Sequence, residues 1–427
     1  MTTPGSGRLS RRLSTTQATV IGLGSMIGAG VFTAFAPAAA AAGSGLLVGL
    51  AIAAVVAVCN ALSSAQLAAQ YPEAGGTYLY GRERLGEWWG FAAGWMFVVG
   101  KTASCAAMAL TIGTYVAGAT WGPVVAVAAV VAVVTVNCLG VTRTATATAI
   151  IVTAVVAVLV VVVAVGAIGG DPHAENLDLG RAGSSVHGVL QAAGLLFFAF
   201  AGYARIATLA EEVRDPRRAI PRAIVGALSG ALVVYAAVGV TAVAVLGADR
   251  LADTATPLVA VVSASGADVI APLVRVAAAV AALGALLALV AGIGRTGLAM
   301  ARTGDLPRPL AAVHPRFSVP HRMEITVGVI VAVAVLTVDL RGAIGFSSFG
   351  VLLYYLVANL SAMTQSGADR RYPRAVHVVG AIGCVVLAAS LPVASVVAGV
   401  VVAAVGGLYR LTVTRGSGRR RTSPRSG

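Results

Sequence analysis

Apolar stretches of about 20 residues recur along almost the whole chain, each long enough to cross a hydrocarbon core as a helix. They fall at 17–41, 45–69, 91–119, 122–140, 145–168, 188–212, 222–247, 269–298, 324–341, 346–363, 375–391 and 393–410. These runs predict an all-α membrane protein of about 12 transmembrane helices. Only 11% of the residues are charged, against about 25% in soluble domains. The runs also leave no length for a soluble catalytic domain. The expected organisation is a tail over 1–16, a transmembrane domain over 17–410 and a basic tail over 411–427.

The first span carries an anomaly. Ile21-Gly22-Leu23-Gly24-Ser25-Met26-Ile27-Gly28-Ala29-Gly30-Val31-Phe32 places four glycines within nine residues. Each costs roughly 0.8–1 kcal/mol in a helix interior, so the helix is expected to break at mid-membrane depth. Unwound backbone survives there only where it lines a cavity. The sixth span repeats the pattern, with Gly202 inside Gly194-Leu195-Leu196-Phe197-Phe198-Ala199-Phe200-Ala201-Gly202-Tyr203. Interrupted helices at matching positions of two halves point to a transporter site. Spans 1–5 and 6–10 are therefore expected to form a 5+5 inverted repeat with broken helices 1 and 6.

The chemistry of such a site follows from backbone groups. N–H groups released around Ser25, Met26, Ile27, Gly28, Ala29 and Gly30 suit a carboxylate at a half-helix N-terminus. Carbonyls released around Phe198, Ala199, Phe200, Ala201 and Gly202 suit an ammonium. Together they fit the zwitterionic end of an α-amino acid, with Phe198 or Phe200 closing over it. Gly24 and Gly28 also have the GxxxG spacing of simple helix packing; the pairing of two breaks favours transport.

Arginines decide the orientation. Arg8, Arg11, Arg12, Arg82, Arg84, Arg143, Arg214, Arg217, Arg218, Arg222, Arg302, Arg308, Arg316, Arg322, Arg370, Arg371, Arg374 and the tail arginines fall on one side. Little more than Arg181, Arg250, Arg275 and Arg341 falls on the other. Both termini are thus expected in the cytoplasm of a bacterial cell, at the plasma membrane, with the Gly/Ser/Arg-rich end disordered. Ser10-Arg11-Arg12-Leu13 imitates an export signal, but the apolar segment after it is long enough to stay as a span.

Other classes find no support. The net charge of +14 is dispersed over short loops rather than gathered as a nucleic-acid surface. Cys59, Cys105, Cys138 and Cys384 lie in spans and read as small hydrophobes. The five histidines show no metal-ligand spacing, and no nucleophile–base pair stands out. No cofactor and no enzymatic activity are expected. A phosphate-binding G-x-x-x-x-G-K-[ST] loop is absent, so ion or substrate gradients must drive any transport.

Four stretches carry a resemblance. They are Gly24-Ser25-Met26-Ile27-Gly28-Ala29-Gly30-Val31-Phe32; Tyr71-Pro72-Glu73-Ala74-Gly75-Gly76-Thr77-Tyr78 with Leu85-Gly86-Glu87-Trp88-Trp89-Gly90-Phe91; Phe197–Tyr203 with Glu211-Glu212-Val213-Arg214-Asp215-Pro216; and Ala301-Arg302-Thr303-Gly304-Asp305-Leu306-Pro307 with His314-Pro315. In this order, across residues 20–320, they resemble the amino acid–polyamine–organocation superfamily. The resemblance implies amino acid transport by alternating access. Members that carry cationic substrates often hold an acidic residue just after the helix-6 Gly-aromatic pair. Here Ala204 and then Arg205 stand there.

Lys101 lies in the third span, about ten residues or roughly 15 Å from the Trp88–Trp89 belt. An intramembrane cation marks a functional site, and Lys101 is expected to act as a proton switch or as a fixed charge replacing a bound sodium ion. Arg205 and Glu212, seven residues apart, are candidates for an inner gate. The sum is a proton-coupled symporter or exchanger of amino acids that favours neutral, then acidic, over cationic side chains. The rivals are a cationic amino acid or polyamine antiporter and a non-transporting sensor.

Overall fold

A computed structural model describes residues 13–71, 75–140, 145–178, 185–203, 206 and 213–421. The chain enters the first helix through a capping box. The Ser14 hydroxyl accepts the Gln17 N–H (3.2 Å) and the Gln17 side chain accepts the Ser14 N–H (2.9 Å). Helix α1 (Thr15–Met26) stops at Ile27, whose φ −77° and ψ 63° are not helical. The span resumes as α2 (Gly30–Thr33) and α3 (Phe35–Ala42), joined by Ala34 in right-handed helical geometry. The expected break is therefore present, over Ile27–Ala29.

Next come α4 (Leu46–Gln70) and the short α5 (Thr77–Leu85) between spans. Spans three and four form α6 (Glu87–Cys138), bent at Gly118, whose φ of 66° only glycine adopts without strain. α7 (Ala145–Gly169) is the fifth span. The sixth is α8 (Val186–Phe200), which tightens into a 3₁₀ turn over Ala201–Tyr203. Then follow α9 (Pro216–Asp253), α10 (Pro257–Ala264), α11 (Ala271–Arg302), α12 (His321–Thr337), α13 (Leu340–Met363), α14 (Arg374–Ser390) and α15 (Val393–Arg421). Among the described residues, eight helical segments are long and apolar enough to cross a membrane by themselves, one of them the double-length α6. Spans one to five and six to ten each begin with an interrupted helix.

Two boundaries differ from expectation. The ninth span, α12, ends at Thr337 and the tenth, α13, starts at Leu340, earlier than 346, because the Asp339 carboxylate caps the Gly342 N–H (3.0 Å). The last helix runs on to Arg421, so most of the basic end expected to be disordered is helical.

The core packs α6 against α11, α12 and α13, and α4 against α8 and α9. A buried polar chain pins α4, α13 and α14 together. Ser63 Oγ donates to Asn359 Oδ1 (2.6 Å) and lies 2.7 Å from His377 Nδ1, while Asn359 Nδ2 donates to Asn60 Oδ1 (2.6 Å). Ser63 has one proton, so the His377 contact is satisfied with Nδ1–H as donor.

Candidate functional site

The two breaks touch. A Cβ on Gly202 would land on the Ser25 carbonyl, one on Gly30 would lie 2.6 Å from Ala199 Cα, and one on Gly28 would meet Ala285 Cβ at 2.8 Å. The glycines thus do two jobs: they weaken the helix, and they let the unwound backbones of spans one and six lie against each other and against α11.

Ile27 N–H still reaches Leu23 O (2.7 Å) and Gly28 N–H folds back on Met26 O (2.8 Å). No backbone acceptor is found for the N–H groups of Ala29, Gly30 and Val31 among the described residues. On span six the released carbonyls are engaged rather than vacant. Ala199 O accepts the Tyr235 hydroxyl (2.9 Å), which is also 2.6 Å from Met26 O. Ala201 O accepts Lys101 Nζ (3.0 Å) and the Tyr355 hydroxyl (3.5 Å). A carbonyl has two lone pairs, so Ala199 O keeps one beyond the Tyr235 bond.

Residues of the two breaks line a cavity of about 330 Å³, within the roughly 300–1,000 Å³ of small-molecule sites. Ser25, Met26, Gly28, Ala29, Gly30, Phe198, Ala199, Ala201, Gly202 and Lys101 all line it. Ile27 and Phe200 do not. Ile27 is turned into the core, and Phe200 packs edge-on to the Tyr235 ring at 5.0 Å, so Phe198 is the phenyl available to a ligand. From the breaks the cavity extends past Phe97, Arg295 and Ala299 to Gly75 and Tyr78. On the far side the Phe32 carbonyl is held by the Tyr115 hydroxyl (2.8 Å). Arg205 and Glu212 lie outside the described residues.

The amino acid permease family profile matches residues 17–419. The chain belongs to the amino acid permease family. The permease is 61% identical over 398 residues to an uncharacterized transporter of Mycobacterium tuberculosis, covering 93% of this chain and 90% of the relative. It is 25% identical to the branched-chain amino acid permease BcaP of Bacillus subtilis, over 87% and 84% of the two chains. It is 29% identical to the chloroplastic cationic amino acid transporter 7 of Arabidopsis thaliana, over 79% and 63%. The protein is a multi-pass membrane transporter, not an enzyme.

Two functional candidates in the permease escaped the sequence reading. Tyr235, on α9, is fully buried and bridges both breaks. Its partners lie 209 and 36 residues away, so no local pattern announces it. Arg295, on α11, lines the cavity and was legible as an arginine inside the span at 269–298.

Two of the resemblance motifs meet beside the cavity mouth. The buried Asp305 carboxylate accepts the Tyr78 hydroxyl (2.8 Å) and Arg82 Nη1 (3.0 Å), and it pairs with Arg410. Glu87 completes the cluster at 3.5 Å from Arg82 and 3.4 Å from Arg410. Burial raises the Tyr78 phenol above its ordinary pKa, and the Asp305 charge adds to the rise; Tyr78 therefore stays a donor. The cluster ties α5, the loop after α11 and α15 together. Among the described residues no group of three or more His, Cys, Asp or Glu side chains is placed to hold a metal ion.

Proposed function

We propose that this permease carries an α-amino acid across the bacterial plasma membrane by alternating access, with both termini cytoplasmic. The substrate carboxylate rests on the N–H groups of Ala29, Gly30 and Val31, at the start of a helix that continues into α3. The ammonium takes the lone pair that Ala199 O keeps beyond the Tyr235 bond, and Phe198 covers the bound molecule. The observation that carries this reading is the contact of two interrupted helices around one cavity, with N–H groups on one side and carbonyls on the other. The names of two relatives, the branched-chain amino acid permease and the cationic amino acid transporter, share amino acids and differ on side chain, while a third, 25% identical over 83% of this chain, is named a methylthioribose transporter.

Lys101 is the coupling residue in this reading. Its ammonium binds the Ala201 carbonyl (3.0 Å), and loss of the proton weakens that charge-assisted bond. Span six is then released, which links proton transfer to movement. Arg205 and Glu212 act as an inner gate. A cation exchanger is disfavoured because no Asp or Glu lines the cavity among the described residues. The test is uptake of labelled amino acids into proteoliposomes, with and without a pH gradient. Accumulation driven by an inward proton gradient is expected; binding without flux would instead make the protein a sensor.

A further inference from the structure

Among the described residues, the cavity wall carries two cations and no carboxylate. Lys101 is 5% exposed and spends one donor on Ala201 O. Arg295 has no hydrogen bond or ion pair among the described residues, and its side chain is exposed where it lines the cavity.

The two stand at nearly the same depth. α6 and α11 run antiparallel, because Gly94 abuts Met300 at one end and Arg275 donates to the Tyr115 carbonyl (3.3 Å) at the other. Lys101 lies a third of the way from Gly94 to Tyr115, which corresponds to the level of Gly292. Arg295 is three residues from that level, roughly 4.5 Å. Helical side chains lean toward the N-terminus of their own helix. On antiparallel helices, Lys101 and Arg295 therefore lean toward each other's depth. Glu324 is the carboxylate that interacts electrostatically with Arg295. It sits on α12, behind α11: its Cγ lies 3.0 Å from the Cβ position of Gly294, and it accepts the Cys138 thiol (3.8 Å). It does not line the cavity.

A cavity so charged repels a third cation and leaves a net zwitterion unable to neutralise it. We infer that the substrate is an acidic amino acid, whose side-chain carboxylate pairs with Arg295 and shares the field of Lys101. This rests on the amino acid reading above and adds the side-chain class. Arg295 supplies a planar fork of donors suited to a carboxylate, and it is the specificity-determining residue.

The test is uptake by the full-length protein in proteoliposomes, comparing labelled glutamate with labelled glutamine, which has nearly the same shape, and with leucine. The wild type is expected to take glutamate with the lowest KM. Arg295→Gln should raise the glutamate KM roughly 10- to 100-fold, and glutamine KM by less than about threefold on the same scale. Arg295→Lys should recover part of the loss. Glutamine uptake shows that each variant is folded. Wild-type uptake of glutamine or leucine without glutamate would overturn the inference and leave the amino acid reading standing. So would equal glutamate kinetics in wild type and Arg295→Gln. Failure to take up or bind any amino acid would remove both.

Discussion

Tyr235→Phe is the most informative single perturbation. The ring stays, with its edge-on contact to Phe200 at 5.0 Å; only the hydroxyl goes. That hydroxyl has one proton and two acceptors, Met26 O at 2.6 Å and Ala199 O at 2.9 Å. Its removal therefore costs one bond's worth at any instant, about 1–3 kcal/mol for a buried acceptor left without its donor. Two consequences oppose each other. A lone pair on Ala199 O becomes free for an ammonium, which would help binding. The two unwound segments also lose the link that fixes their relative position, and a substrate must then order them itself. The second effect dominates, because Met26 O and Ala199 O must both be placed before either half of the site is complete. The expected result is a KM for amino acid uptake raised roughly 10- to 100-fold, with monodisperse protein and little change in maximal rate. A KM unchanged within about twofold, or a lower one, would refute this account of Tyr235.

Three further outcomes are expected. Gly202→Ala drives a methyl into the Ser25 carbonyl and should abolish uptake and destabilise the protein by about 1–3 kcal/mol, whereas Gly407→Ala, with open space at its Cβ, should do neither; thermal unfolding and uptake read both. Lys101→Ala should remove the dependence of uptake on a pH gradient while substrate exchange persists; unchanged pH dependence would eliminate Lys101 as the coupling residue. Asp305→Asn leaves Arg82 and Arg410 facing each other without their shared carboxylate and should cost about 3 kcal/mol, seen as a lower unfolding temperature; an unshifted transition would contradict the bridging role.

Much of the architecture was legible because the bilayer restricts the chain to few solutions. Apolar length marked the spans, and glycine density marked the breaks at residues 27–29 and after Phe200. What the sequence hid was the identity of hydrogen-bond partners. The carbonyls of span six looked free from local reasoning, yet Ala199 O and Ala201 O are held by Tyr235 and Lys101 from other helices. Ile27 and Phe200 were placed in the site by proximity along the chain, and the turn of the backbone carries both away from it. Asp305 stood out only as part of a recurring motif; its physical task, joining Tyr78, Arg82 and Arg410, needs three segments brought together. The Ser63–Asn359–His377 chain was invisible for the same reason, since Ser63 lies 296 and 314 residues from its two partners.

The most direct measurement of the central claim is competition by analogues that alter only the zwitterionic end. In proteoliposomes taking up a labelled amino acid, the methyl ester, which lacks the carboxylate charge, and the deaminated acid, which lacks the ammonium, should each compete at least about tenfold more weakly than the parent. Equal competition by either analogue would mean that the backbone groups of the two breaks do not grip the substrate.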